Sequence, residues 1–320
     1  MVRRAGPYDR TRDRRRSGHH HRRAEGAMKA FPLVSIGMPV RNGGATFERA
    51  LQAVLAQDYP NIEVIISDNA SVDDTAVIAR EAAASDPRVR YVRHDATLKA
   101  LQNFWFCADE AKGRYFMWAA HDDLRSEDFV TRLVAALADD EVVLTFPDLS
   151  VTGEFGCAGL HVDYDFDNRG LSLPGRLRKQ ALMQCFHIYG LWRADTLKSL
   201  PRRELSWWPD LPILMSAAAL GKFAHAPGAR FIYLEVPKTD AERAAYQDGL
   251  RDLGKVRNVL KLVGVTFVVL RPIVGTFHAL LGSLFVIEKN GRFAVASTKR
   301  RMARLFEAVG RRALGRGSPG

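Results

Sequence analysis

Cysteine is scarce: Cys107, Cys157 and Cys185 are the only three in 320 residues. They form no CxxC pair, and an odd count leaves no complete disulfide framework. That excludes a disulfide-stapled scaffold and points to a reducing cytosol, with each thiol read as core filler. The N-terminal stretch lacks the apolar h-region of a secretory signal. It also has few acids: nine arginines face only Asp9, Asp13 and Glu25 in residues 1–27. Much of the formal charge of +11 therefore sits in a tail. Outside the tails there is no basic platform interleaved with aromatics, so nucleic acid is not an expected partner.

So polar a tail buries too little apolar surface to offset its ordering entropy, and residues 1–27 are expected to be disordered. Met28, just ahead of the first ordered-looking segment, is a candidate translation start. The His19–His21 run inside this tail is read as incidental.

From residue 33 to about 240 the chain is strongly patterned. Leu33 to Val40 is a short apolar run rich in β-branched residues, closed by Arg41, Asn42, Gly43 and Gly44; it reads as a buried strand entering a loop. Helical spacing runs from Thr46 to Gln57, with Thr46 a candidate N-cap, and stops before Pro60. Ile62 to Ser67 is a second strand closed by Asp68–Ser71, and Asp73 can cap the next helix. Val89 to Arg93, a helix over Leu98 to Ala111, and a strand over Tyr115 to Ala119 running into His121, Asp122 and Asp123 continue the alternation. Further along, a helix is expected over Asp128 to Ala138 and a strand over Val142 to Phe146. An irregular excursion through Gly175 comes next, then a helix near 176–186, a strand near Tyr189 to Arg193 and a helix over Leu211 to Leu220. Repeated strand–helix alternation predicts an α/β sheet, mostly parallel and helix-covered, with ligands gathered at the carboxyl ends of its strands. Asp68 and Asp122 fall at such ends.

Beyond residue 240 the character changes. Leu262 to Ile287 is apolar and long enough to span a membrane, but Arg271 and Pro272 split it, disfavouring a single clean transmembrane helix. Two shorter segments, lying in the membrane interface or packed on the preceding domain, are expected instead. Lys299 to Leu314 sets Met302, Leu305, Phe306 and Val309 among arginines, a basic amphipathic pattern suited to anionic lipid or to an ordinary surface helix.

Adjacent carboxylates at a strand end suit a hard divalent cation of the Mg or Mn type, whose remaining ligands come from phosphates and water. One of Asp122 and Asp123 can hold such an ion while the other accepts from a ribose hydroxyl. Aspartates also cap turns and helices; what singles these out is Asp68 at another strand end of the same sheet.

The ordered series Val34–Asn42, Gln57–Asn61, Glu63–Thr75, Asn103, Ala111–Tyr115 and Trp118–Asp123 resembles the opening of family 2 glycosyltransferases of the GT-A fold, over roughly residues 33–235. The resemblance implies a GT-A-type nucleotide-binding domain over 31–240; the helical region over 241–320, which lies at a membrane interface or packs on the domain, is read from its own residues. The resemblance also implies Pro39, Arg41 and Asn42 lining the nucleotide pocket, Asp68 on the base or ribose, Asn103 approaching the donor, Asp122 on ribose and Asp123 on the metal. It makes Lys99 a weaker donor candidate, since a smaller residue is commoner there. The family's base precedes an acceptor-side helix, where Asp210 stands; an aspartate there is equally an ordinary N-cap. Asp195 and Glu204 are less well placed, and Trp207 and Trp208 could stack on a sugar or pack in the core. His187, Tyr189 and Arg193 are expected to support rather than to react. After Phe231, Ile232 and Tyr233 relatives place Arg then His, whereas here Leu234 to Pro237 come next, with Lys238 a candidate replacement for the lost charge.

The implied activity is inverting, metal-dependent transfer from a nucleotide-sugar donor to a glycan or lipid-linked acceptor, in the cytoplasm at the inner membrane face. Two alternatives stand beside it. A sugar-phosphate nucleotidylyltransferase would want a richer glycine loop than Arg41–Gly44. A silent membrane-associated binding module would draw on the altered 234–238 stretch and the basic helix.

Overall fold

The computed structural model describes residues 31–152, 165–183, 185–202, 209–234 and 256–314, with side chains of the last stretch given for 258–289. The tail, Cys157, Glu204, Trp207, Trp208, residues 235–238 and the basic face of 299–314 lie outside what is described.

Strand β1 (Val34–Val40) is buried along its whole length because it is flanked on both sides. It runs parallel to β2 (Ile62–Asp68) and to β4 (Tyr115–Trp118), with Val34 opposite Ile62 and Tyr115, and β3 (Val89–Arg93) extends β2 in parallel. Three helices cover this half: α1 (Gly44–Leu55), α2 (Thr75–Ser85) and α3 (Ala100–Glu110). Helix α1 begins two residues earlier than expected. Gly43 is its N-cap, and Thr46 donates its hydroxyl to the Gly43 carbonyl at 2.6 Å from inside the first turn. Its buried stripe is Phe47, Ala50, Leu51 and Val54. Helix α3 lies so close to β1 that a Cβ on Gly37 would stand 2.5 Å from the Cys107 Cβ.

The second half is mixed, and here the pattern was less legible. After the two-residue β5 (Leu124–Arg125) and α4 (Phe129–Ala136) comes β6 (Val142–Thr152), twice the length anticipated. Helix α5 (Leu173–Leu182) starts and stops early. The expected strand at Tyr189 resolves into a 3-10 turn, Phe186–Tyr189, and β7 (Leu191–Arg193), which runs antiparallel to β4 and β6. The tight join between turn and strand needs Gly190, whose added Cβ would lie 2.0 Å from the Thr145 carbonyl oxygen. Helices α6 (Ala194–Ser199) and α7 (Asp210–Leu220) precede β8 (Lys222–Leu234), a thirteen-residue strand that periodicity did not announce. Its alternation is broken at Pro227 and Gly228, where φ is +84°, and its register against β6 slips between Phe146 and Asp148. The complete order is β3-β2-β1-β4-β7-β6-β8-β5.

Helix α8 (Val256–Leu314) is continuous except at Gly275, whose φ of 75° and ψ of 173° are not helical. The break falls three residues after Pro272, where a sequence break was expected. A Cβ on Gly282 would lie 2.6 Å from Leu270 Cδ1 and 3.3 Å from Met215 Cε. Twelve residues of straight helix span about 18 Å, so the chain must fold back at Gly275. The two arms bury Leu262, Val269, Leu270, Ala279 and Val286 in the same core as Leu177, Trp192 and Met215. Arg178 pairs with Glu288 at 2.7 Å, and Lys289 donates to the Met183 carbonyl. The stretch 258–289 is long and apolar enough to cross a membrane, but it is folded in two rather than straight.

Candidate active site

Three loops meet at the carboxyl ends of β1, β2 and β4. Asn42, left-handed at φ 52°, receives no strain penalty of the size a branched residue would, because asparagine tolerates that region. Its N–H donates to Ser71 Oγ at 3.0 Å and its Oδ1 accepts from Val72 N at 2.9 Å, tying the first loop to the second. Ala70 is also left-handed, at φ 55°, and is held there by the same network. Gly43 N donates to Thr75 Oγ1 at 2.9 Å. A Cβ on Gly43 would come within 3.1 Å of the His121 ring, so the first loop also touches the third.

Asp68 is fully buried; its Oδ1 accepts from Ser71 N at 2.9 Å and its Oδ2 from the Tyr91 hydroxyl at 2.8 Å. In this conformation it has no exposed surface from which to meet a base or ribose. Asn103 is turned away from the cleft: its amide donates to the Ser67 carbonyl at 3.0 Å and its Oδ1 accepts from the Ser67 hydroxyl at 2.6 Å, stitching α3 to β2. Pro39 is buried within β1, while Arg41 and Asn42 stand exposed at the rim. Lys99 is the N-cap of α3.

The third loop carries the acidic pair. Asp123 is 1% exposed, and among the described residues it accepts one hydrogen bond, from Leu234 N at 3.3 Å. Burial, and then the neighbouring Asp122 charge, push its carboxyl up to about 7. Two residues on, at the end of β5, Arg125 is 5% exposed. None of its three guanidinium nitrogens has a hydrogen-bond partner. Its Cζ stands 5.8 Å from the Phe129 ring centroid, and burial holds it down to about 10.

Asp210 is the first residue of α7 rather than its cap; Pro209 takes the N-cap position, and Asp210 accepts no hydrogen bond among the described residues. Burial pushes its carboxyl up to about 6. What joins it to the acidic pair is Tyr189. That phenol, stacked on Phe231 at 5.6 Å, is pushed far above its ordinary value by burial, then by Asp210, Asp123 and Asp122. Three carboxylates from two distant stretches are thus close enough to act electrostatically on one phenol. Sequence reasoning gave Tyr189 a supporting place and passed over Arg125, although a charge in phase with Asp123 ahead of the apolar Phe129 and Val130 was a usable signal. His187 packs in the core: burial pushes it down to about 3, and its Nε2 meets Gln180 Oε1 at 2.7 Å.

No three described acidic, histidine or cysteine side chains cluster as a closed metal site. Asp122 and Asp123 nevertheless fit a hard divalent cation. They are oxygen donors, one is buried with no ion pair among the described residues, and such ions take their remaining ligands from phosphate and water.

Residues 35–166 match the family model described as Glycosyl transferase family 2. Among curated proteins, the chain is 30% identical over 152 residues to the putative glycosyltransferase EpsE of Bacillus subtilis, covering 46% of this chain and 54% of EpsE. It is 33% identical over 132 residues to the putative colanic acid biosynthesis glycosyl transferase WcaA of Escherichia coli, covering 41% of this chain and 46% of WcaA. The chain thus spans about half the length of these relatives. Among solved structures, S. aureus TarS 1-349 in complex with UDP-GlcNAc aligns with a TM-score of 0.53 at 13% identity, over 81% of this chain and 89% of that one. The mannosyltransferase PcManGT from Pyrobaculum calidifontis, in complex with GDP-Man and Mn2+, aligns with a TM-score of 0.53 at 17% identity, over 88% of this chain and 81% of that one. Both share the GT-A-type fold.

Proposed function

From a chain that carries a family 2 glycosyltransferase segment on a GT-A-type sheet, we propose that the protein transfers a sugar from a nucleotide-diphosphate sugar to an acceptor hydroxyl, inverting the anomeric centre. The observation that carries this reading is the family 2 match over a sheet whose strand ends present Asp122 and Asp123, with Asp210 near enough that all three act electrostatically on Tyr189.

In this reading Asp122 accepts from a ribose hydroxyl and Asp123 holds a Mg or Mn ion. When bound, the ion would supply positive charge beside the leaving diphosphate. Asp210, with lone pairs free and a proton affinity raised by burial, takes the proton of the acceptor hydroxyl. The acceptor oxygen bonds to the anomeric carbon from the face opposite the diphosphate, and the breaking bond's electron pair leaves with the phosphate oxygen. Arg41 and Asn42 line the rim where the nucleotide enters. Asp68 acts on the nucleotide through the loop it orders, and Asn103 through the strand it anchors.

The acceptor side has an apolar character: Phe231, on which Tyr189 stacks, also lines a small recess with Phe146, Phe166 and Phe186, of about 10 Å³ and so too small to hold a sugar itself. A glycan or lipid-linked acceptor would therefore lie over these rings rather than within them. WcaA's role in colanic acid biosynthesis supports polysaccharide assembly as the process. The folded-back helix adds a surface: six of the eleven exposed large apolar side chains among the described residues lie on it, namely Leu260, Val268, Phe277, Leu280, Leu284 and Ile287. Seven basic residues stand between 290 and 314, against Glu307 alone. An anionic membrane surface at the cytoplasmic face is the partner that matches apolar stripe and basic charge together.

The test is release of nucleoside diphosphate from a panel of UDP-, GDP- and dTDP-sugars, with and without Mn, for wild type, Asp123→Ala and Asp210→Asn. GDP-Man and UDP-GlcNAc, bound by PcManGT and TarS, head the panel. Metal-dependent turnover lost in both variants supports the transferase; wild-type protein that neither binds nor turns over any donor points instead to a silent module.

A further inference from the structure

Arg125 is the one described arginine whose guanidinium is buried with every nitrogen unpaired; Arg90, the other arginine with an orphaned nitrogen, bonds Glu110 through its two remaining ones. Its surroundings offer little compensation. The Phe129 ring at 5.8 Å contributes a weak cation–π attraction. Asp123 acts on it through space without forming an ion pair, and Tyr189 is the other polar neighbour. An isolated buried charge is strongly unfavourable, and a fold keeps one where a charged partner completes it. Strand β5 limits Arg125's freedom to withdraw, since Arg125 is paired opposite Phe231 of β8 and is itself 5% exposed.

We infer that Arg125 is an anion-binding residue of the donor site, a fixed guanidinium beside the Asp122–Asp123 pair that takes the phosphate charge of a nucleoside diphosphate. The inference rests on the transferase reading and deepens it. A guanidinium presents five N–H donors in a planar fork that matches phosphate oxygens, and an anion is what both satisfies those donors and neutralises the charge. The ligand enters beside carboxylates that would otherwise repel it, so a positive group held among them changes the sign of the local balance. Ribose and base, being neutral, gain little from it.

The test uses the full chain and isothermal titration with UDP and GDP, and with uridine and guanosine as uncharged counterparts, each in EDTA and in Mn, together with ligand-free thermal unfolding. Arg125→Met is expected to weaken diphosphate binding roughly ten- to hundred-fold, the range for losing a charge-assisted hydrogen bond pair. Nucleoside binding should be unchanged, and ligand-free Tm undiminished, because an apolar chain replaces an orphaned charge. Arg125→Lys, which keeps the charge and loses the fork, should fall between the two and stands in if the methionine variant does not fold. Diphosphate affinity in either variant within twofold of wild type overturns the inference, and a fall in Tm without one in affinity identifies Arg125 as a structural counter-charge to Asp123. If the wild type binds neither UDP nor GDP, the transferase reading falls first and takes this inference with it.

Discussion

At Asp210 the fold holds a carboxyl in surroundings that favour its neutral form. An unfolded aspartate titrates near 3.9, whereas Asp210 is raised to about 6. The stability it contributes is fully present below about pH 4 and is lost as pH rises through 6. Asp210→Asn should therefore unfold at a higher temperature than wild type at pH 8 and at the same temperature at pH 4, by differential scanning calorimetry. The same substitution should lower transfer by a factor on the order of 10² to 10⁴. Wild-type kcat/KM should fall on the acid side with an apparent pKa near 6. Asp123, raised to about 7, predicts Mn binding that strengthens as pH rises through that value; titration at pH 6 and pH 8 checks it. At this scale the sequence singled out Asp122, Asp123 and Asp210 as candidates, because strand ends and helix starts are visible in a local pattern. It could not show that Asn103 faces Ser67 or that Asp68 is closed off by Tyr91, because both depend on which side of a neighbouring element a side chain meets.

Among the elements, β1 to β4 were legible because each is a short apolar run with an amphipathic helix beside it in sequence. β8 was not, since Pro227 and Gly228 break its alternation and the Asp148 carboxylate repairs the break by accepting from Gly228 N at 2.7 Å. Where the 3-10 turn enters β7, Gly190→Ala should cost about 1–3 kcal/mol by overpacking against the Thr145 carbonyl, read by urea unfolding. The folded-back helix offers a separable test. Leu280 and Leu284 are 52% and 58% exposed and one turn apart. Leu280→Glu with Leu284→Glu should abolish co-sedimentation with phosphatidylglycerol vesicles and leave Tm within a degree or two, as expected of exposed positions. Retained vesicle binding in that variant would rule out this face as a membrane-contacting surface.

For the molecule as a whole, the C-terminal arms are part of the same core as the eight-stranded sheet. Leu262, Val269, Leu270 and Val286 are at most 1% exposed, and burial of each such side chain contributes about 1.5–3 kcal/mol. A chain ending at residue 255 should consequently bind a hydrophobic dye and lose its cooperative unfolding transition. Composition foresaw the change of character beyond 240 but not this docking, which depends on Gly275 turning the chain back toward Met215 and Leu177. The two-residue strand β5 also ties the site to the order in which the chain is made. Asp123 and Arg125 are positioned by residues 230–234: Leu124 lies opposite Ile232, Ser126 N donates to the Arg230 carbonyl, and Leu234 N reaches Asp123. Translation delivers the chain from its N-terminus, so the acidic loop emerges from the ribosome well before the strand that fastens it. A nascent or prematurely terminated chain would carry the recognisable motifs with the acidic loop unfastened and, on the proposed reading, without a finished place for donor or ion.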